Sequence, residues 1–140
     1  MLYLTSLHLS HFRSHKSLEL ECDERPVALF GANGSGKTNI LEAVSLFSPG
    51  RGVRRASAED MARRPEHIGW KLRGTLTAQG RQHEIELSSR NGAARSTKID
   101  GKTASQTALG GITRVLWQVP AMDRLWIEGA EGRRRFWDRI

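Results

Sequence analysis

The stretch Gly31-Ala-Asn-Gly-Ser-Gly-Lys-Thr38 decides how this chain is interpreted, because it matches the phosphate-binding pattern G-x-x-x-x-G-K-[ST] in full. The apolar residues 26–30 precede it, and residues 27–30 predict a buried strand, whereas residues 39–47 follow it and predict a helix. A phosphate loop lies between a strand and a helix, so the context supports the motif. A glycine-rich turn that binds nothing is the weaker alternative.

Each part of the motif has its own chemical role. Glycines let the backbone turn tightly and bring N–H groups close to phosphate oxygens, and the following helix N-terminus favours anions. Lys37 can reach the β- and γ-phosphates of a nucleotide, and the Thr38 hydroxyl can ligate Mg²⁺. The predicted nucleotide-binding residues are Gly31, Ala32, Asn33, Gly34, Ser35, Gly36, Lys37, Thr38 and Asn39.

Composition indicates a small basic protein of the reducing cytoplasm. The 140 residues carry a net charge of +7, which favours polyanionic partners without identifying one. A single cysteine, Cys22, excludes an internal disulfide framework. No stretch approaches the roughly 20 apolar residues of a membrane span, so we expect no membrane partner. The five histidines show no ligand spacing, which argues against a zinc site.

The first half of the chain has clear periodic patterns. Leucines 2, 4, 7 and 9 predict a strand with one slip in the alternation, and residues 17–22 predict a second strand. A short helix is predicted to begin at Ser57 and to end before Pro65. The helix after the phosphate loop is predicted to bury one apolar stripe, formed by Ile40, Leu41, Val44 and Phe47.

The second half reads mainly as antiparallel strands. Residues 68–78, 83–88 and 95–99 are strand-like, and the pairs Gln79-Gly80, Asn91-Gly92 and Asp100-Gly101 are hairpin signals. Further predictions are a short helix at 103–109, a strand at 112–119, a turn or short helix at 122–127 and a basic helix at 130–140. The expected fold class is α/β, a P-loop NTPase with an added antiparallel β-sheet.

Two features suggest an incomplete NTPase. The helical pattern at the end of the chain has no stop signal, and no apolar strand ending in Asp or Asp-Glu follows the phosphate loop. We therefore expect residues 1–140 to be the N-terminal portion of one ATPase head domain. Such a portion is expected to bind ATP without turning it over, and whether it is a native product or a truncation stays open.

Four further segments, in order along the whole chain, resemble the RecF family of chromosome-maintenance ATPases. They are His11-Phe-Arg-Ser-His15, Gly50-Arg-Gly-Val-Arg-Arg55, Pro120-Ala-Met-Asp-Arg-Leu125 and Glu128-Gly-Ala-Glu-Gly-Arg-Arg-Arg-Phe-Trp-Asp138. The phosphate loop is shared by many NTPases, whereas the last segment is much more specific. Trp137 stands where that family usually has Leu, and Val119 where a hydroxyl residue is common.

The resemblance implies a head of the ATP-binding-cassette type, with ATP and Mg²⁺ as cofactors. Such heads form homodimers with ATP between them, bind single-stranded or gapped DNA and work with RecO and RecR in recombinational repair and the SOS response. It also implies that Arg13 approaches the nucleotide phosphates. Catalytic residues are not assigned, because the family's acidic Mg²⁺ strand and signature motif have no counterpart here.

Several alternatives stay open. A transporter-type cassette ATPase would share the loop, and an ATP-independent nucleic-acid-binding module would share the charge. Gln118 could sense Mg²⁺, although an exposed polar role is the simpler interpretation, and Asp123 is equally ambiguous. Two arginine-rich stretches are candidates for DNA contact, Arg51, Arg54, Arg55, Arg63 and Arg64 in one and Arg133, Arg134, Arg135 and Arg139 in the other.

Overall fold

The computed structural model describes residues 1–120 and 129–138. Its main element is a six-stranded antiparallel sheet with strand order β2-β1-β3-β4-β5-β6. The strands are β1 Leu2–Phe12, β2 His15–Glu21, β3 Gly69–Ala78, β4 Arg81–Arg90, β5 Ser96–Ile99 and β6 Lys102–Ala104. The helices are α1 Lys37–Ser45, a 3₁₀ helix Gln106–Gly111 and α2 Ala130–Trp137. No helix among the described residues is long and apolar enough to cross a membrane.

The segment with the alternating leucines forms a strand, β1, as predicted, and the slip in the alternation corresponds to an irregularity in its pairing. The pairing of β1 with β3 shifts register between Leu4 and Ser6, so one residue bulges out of the ladder. Beyond the bulge, Leu7 and Leu9 both point into the core and are fully buried. The irregularity in the sequence pattern therefore marks a real irregularity in the sheet.

The predicted hairpin turns are also confirmed. In the β3–β4 turn Gln79 and Gly80 have φ of 50° and 76°, and Asp100 and Gly101 between β5 and β6 have 51° and 77°. Two-residue loops with both φ values positive match the right-handed twist of the flanking strands. Local sequence chemistry thus fixes the register of two strand pairs.

Helix α1 and the sheet share one apolar cluster. Ile40, Ala43 and Phe47 are buried, which is one stripe of the helix and the turn that follows it. The Phe47 ring packs directly against Gly74 of β3, where a Cβ would lie 2.8 Å from two ring atoms. This packing fixes α1, and with it the phosphate loop, against the sheet.

The prediction that Leu41 belongs to the buried stripe is wrong. Leu41 is 58% exposed, whereas its neighbour Glu42 is almost completely buried. The helix face that packs inward therefore includes Glu42 and leaves out Leu41. The buried carboxylate is tolerated because arginines from two other segments pair with it. Val44 is only half-buried.

The strand predicted at residues 27–30 does not form. The segment is irregular, and Val27 and Phe30 are 60% and 94% exposed. A strand needs a hydrogen-bonded neighbour, and these residues pair with none of the described strands. The prediction of a buried strand is therefore wrong for this segment, both in its conformation and in its burial.

The helix predicted from Ser57 is a turn instead. The Ser57 hydroxyl accepts a hydrogen bond from the Asp60 N–H at 3.2 Å, as a helix cap would. The chain then leaves the helical path, because Ala62 forms a β-bridge with Phe12 and the Arg63 N–H donates to the carbonyl of β1 at residue 11. Tertiary pairing with β1 overrides the local helix signal.

The last predictions are partly right. The helix expected at 103–109 begins only at Gln106 and is of the 3₁₀ type, because residues 102–104 pair with β5. The strand expected at 112–119 is absent, and residues 113–119 are irregular with no strand neighbour among those described. The basic helix is confirmed as α2. The prediction for 122–127 and the end of the basic helix, 139–140, lie outside the described residues.

Candidate functional site: the phosphate loop and its arginine–carboxylate cluster

The phosphate loop runs directly into α1. Gly36 is the N-terminal cap of the helix and has a left-handed backbone, with φ 96° and ψ 10°. The Ser35 N–H donates to the Ala32 carbonyl at 3.2 Å, which closes the loop on itself. The first-turn N–H groups of a helix have no intrahelical partner, so this geometry places a set of donors at the loop.

The Lys37 ammonium group folds back over the loop. It donates to the carbonyl oxygens of Gly31 and Ala32 at 2.6 and 2.7 Å and is 3.5 Å from the Ser35 hydroxyl. Three donors on a compact cation suit an approaching phosphate, which can exchange with these neutral acceptors. The Thr38 side chain on the next position is exposed.

The turn between β1 and β2 packs on the loop and on the start of α1. The Asn39 amide donates to the Ser14 hydroxyl at 2.8 Å, and His15 Nε2 lies 3.1 Å from the Gly36 carbonyl oxygen. A Cβ on Gly36 would come within 2.5 Å of the same histidine nitrogen. Glycine at position 36 is therefore required by close approach as well as by its positive φ.

Arg13 belongs to the same turn and binds a buried carboxylate. Its Nε and one terminal nitrogen donate to the two Glu42 oxygens at 2.9 and 2.7 Å, a bidentate pair. The other terminal nitrogen donates to the Asp60 carbonyl at 2.7 Å. Arg13 is thus an ordered side chain beside α1, and not a solvated cation at a strand end.

Arg54 completes the cluster from a third segment. One of its terminal nitrogens donates to the Asn39 amide oxygen at 2.8 Å and to Glu42 Oε2 at 2.9 Å. The Glu42 carboxylate is 1% exposed, while the Arg54 side chain is 39% exposed. Two guanidinium groups therefore share one buried carboxylate, which leaves the cluster with a net positive charge.

A polar cleft of about 540 Å³ lies beside this cluster. Its lining includes Arg13, Arg54 and Arg64 together with Asp60. The Ser57 hydroxyl, hydrogen-bonded to Asp60, holds the pKa of that carboxyl below its ordinary value, and the charges of two nearby arginines act in the same direction. The cleft is consequently a charged, polar region, and Asn39, which directly follows the predicted phosphate and Mg²⁺ ligands, also lines it.

A larger cleft of about 960 Å³ lies where the chain leaves the C-terminal end of α1. Arg51, Arg55 and Arg114 line it, together with Trp117 and Gln118. Two arginines of the first arginine-rich stretch, Arg51 and Arg55, therefore line this cleft, whereas Arg54 and Arg64 line the smaller one. Gln118, which lines this cleft, is exposed.

The other candidates from the sequence are distributed as follows. Arg63 pairs with Glu66, three residues along the chain. Arg133 and Arg134 lie on α2, while Asp123 and Arg139 fall outside the described residues. Across residues 1–120 and 129–138, no group of three or more His, Cys, Asp or Glu side chains is close enough to hold a metal ion.

Sequence reasoning missed Glu42 and the partners of residues 13–15. A signal was present, because Gly36, Asn39 and Glu42 are spaced by three and so lie on one face of α1 and its N-cap. Three consecutive residues, the two of the β1–β2 turn and the first of β2, contact these three positions. A polar stripe on an otherwise apolar helix could have been recognised as a docking face.

Comparison with known proteins identifies the family of the chain. The sequence model of a family described as "AAA domain" matches residues 6–119. The chain belongs to the AAA-domain family. Its fold is the P-loop ATPase head expected from the sequence, with the added antiparallel sheet.

Among AAA-domain proteins, the sequence is similar to the DNA replication and repair protein RecF. It is 42% identical to RecF of Caulobacter vibrioides over 145 residues and 41% identical to RecF of Rhizobium meliloti over 145 residues. These alignments cover 98% and 99% of this chain but only 37% and 38% of the relatives. The chain therefore spans a little over a third of the length of the curated relatives it matches, and the predicted resemblance is confirmed.

Solved structures show the same likeness. A structure of the recombination mediator protein RecF with ATP superposes with a TM-score of 0.83 at 27% identity, covering 98% of this chain and 38% of that one. A chain from a study of ATP-driven dimerization of SMC ATPases gives a TM-score of 0.78, with 98% of both chains covered. At 20% identity the SMC likeness concerns the fold alone.

Proposed function

We propose that residues 31–39 bind the phosphate chain of ATP, and that the chain is the nucleotide-binding part of a RecF-like DNA replication and repair ATPase. The observation that carries the proposal is the position of the Lys37 ammonium, 2.6 and 2.7 Å from two loop carbonyls at the N-terminus of α1. A cation and a helix N-terminus converge there on the space a phosphate would take. The similar RecF structure that contains ATP supports the choice of nucleotide.

Mg²⁺ fits the same site through Thr38. Magnesium prefers oxygen ligands and keeps several waters, so one exposed hydroxyl plus phosphate oxygens is a suitable set. Arg13 is proposed to approach the phosphates as well. Three of its five N–H donors are used by Glu42 and Asp60, which leaves two for an anion.

DNA is the proposed macromolecular partner, in the single-stranded or gapped form that the RecF resemblance implies. Exposed Arg51 and Arg55 at the large cleft are the favoured contacts, because Arg54 of the same stretch is held by Glu42. By the same resemblance we propose ATP-dependent homodimers, partnership with RecO and RecR, a role in recombination and the SOS response, and a cytoplasmic location. Residues 1–140 would then be part of one head domain.

Calorimetric titration with ATP and Mg²⁺ tests the nucleotide proposal. Lys37→Ala removes a charge-assisted contact of about 1.5–3 kcal/mol, so the affinity is expected to fall by roughly 10- to 150-fold. Lys98→Ala on β5 removes the same charge from an exposed position and is expected to leave the affinity unchanged. Equal affinity in the Lys37→Ala variant and the parent would refute the role of Lys37, and a parent that binds no ATP would refute the site.

A further inference from the structure

We propose that Glu42 is a positioning residue of the nucleotide site: its buried carboxylate holds Arg13 and Arg54 in fixed orientations beside the phosphate loop. The inference rests on the proposed binding of ATP at residues 31–39. It adds a residue that touches no phosphate itself and acts through the two guanidinium groups it binds.

The first argument is geometric. Glu42 sits on α1, one turn beyond Asn39 and two turns from Gly36, while its partners come from the β1–β2 turn and from the segment after α1. Arg13 is 29 residues away in sequence and Arg54 is 12 residues away. One carboxylate in the second half of α1 therefore joins three chain segments.

The second argument concerns charge. A carboxylate that is 1% exposed is costly to bury unless it is paired, and here it accepts three short hydrogen bonds. Two guanidinium groups against one carboxylate leave one positive charge in excess. The cluster is thus oriented by a fixed anion and still attracts another anion, which is the combination a phosphate site requires.

The third argument is that the two arginines are accessible to a ligand although the carboxylate that orients them is buried. Arg13 is 21% exposed and Arg54 is 39% exposed, and both line the polar cleft of about 540 Å³ beside the loop. Side chains already ordered by Glu42 lose less conformational freedom when they contact a ligand. Arg54 also donates to Asn39, directly after the Lys37-Thr38 pair, so its orientation is coupled to the loop itself.

The test compares Glu42→Gln with Glu19→Gln, which removes the same charge from an exposed position on β2. Calorimetry is performed with ATP and Mg²⁺ on folded protein, verified by circular dichroism. Glu42→Gln is expected to weaken ATP binding at least tenfold, because the amide cannot hold both guanidinium groups. Glu19→Gln is expected to bind ATP like the parent.

Arg54→Gln provides a second variant in case Glu42→Gln fails to fold, with Arg81→Gln in the β3–β4 hairpin as its matched control. Arg54→Gln is expected to weaken ATP binding several-fold. An Arg54→Gln variant that binds ATP like the parent would overturn the inference. Where Glu42→Gln folds, the loss in the double variant is expected to be smaller than the product of the two single losses, because both act on one cluster, and independent losses that multiply would also overturn it.

A nitrogen-15 NMR spectrum supplies a readout that does not depend on ATP. The Arg13 Nε–H group is hydrogen-bonded to Glu42 at 2.9 Å, so its signal is expected to exchange slowly with water in the parent and rapidly in Glu42→Gln. Unchanged exchange, or unchanged ATP affinity in a parent that binds ATP, would overturn the positioning role alone. A parent that binds no ATP would overturn the proposed function and this inference together.

Discussion

Replacing Gly36 by alanine should cost more stability than the same change at Gly34, although both glycines belong to the same loop. Each has a positive φ, 96° and 82°, which costs an alanine about 1–2 kcal/mol. Only at Gly36 does the new Cβ meet other atoms, at 2.5 Å from His15 Nε2 and 2.8 Å from the Ser14 hydroxyl. At Gly34 nothing lies within 4 Å.

The difference can be estimated from the contact that must break. Moving the His15 ring away sacrifices its hydrogen bond to the Gly36 carbonyl, worth about 0.5–1.5 kcal/mol. The Gly36→Ala variant should therefore lose about 2–3 kcal/mol of unfolding free energy, roughly 1 kcal/mol more than Gly34→Ala. Urea denaturation monitored by circular dichroism measures both values.

A double variant locates the origin of the difference. In a His15→Ala background the Gly36→Ala change should cost less than in the parent, because the nearest clashing group has been removed. Equal losses for the two glycine variants in the parent, or the same Gly36→Ala cost with and without the histidine ring, would show that the turn does not press on the loop as described.

Three further predictions concern other parts of the molecule. Gly74→Ala overpacks the Phe47 ring and should cost about 1–3 kcal/mol in urea denaturation. The His83 hydrogen bond lowers the pKa of Asp100, so this carboxylate stabilises the fold above its ordinary pKa and loses that contribution as pH falls through the lower folded value. The stability gap between parent and Asp100→Asn should accordingly shrink on acidification. Arg51→Gln should reduce the salt dependence of DNA binding, by about 0.9 in the log–log slope for duplex, and an unchanged slope would place the DNA surface elsewhere.

Features that depend on neighbouring residues in the sequence were predicted well. The phosphate-loop pattern determines a short run of backbone, and the Gln79-Gly80 and Asp100-Gly101 turns impose positive φ at two adjacent residues. The slip in the leucine alternation likewise coincides with the bulge in β1. In these places one local arrangement is favoured whatever the rest of the chain does.

Predictions that require a distant partner failed. Residues 27–30 and 112–119 have strand-like composition, yet a strand exists only where another strand accepts its hydrogen bonds. Glu42 was overlooked for the same physical reason. A carboxylate is expected on the surface unless it is paired, and its partner Arg13 is 29 residues away along the chain.

The contacts between the β1–β2 turn and α1 have a consequence for the order of folding. Residues 13, 14 and 15 reach positions 42, 39 and 36, across sequence separations of 29, 25 and 21 residues. Closing loops of this length costs entropy before any contact is gained, so we expect these bonds to form late in folding. A ligand that binds only the completed phosphate loop would then stabilise the folded state by mass action.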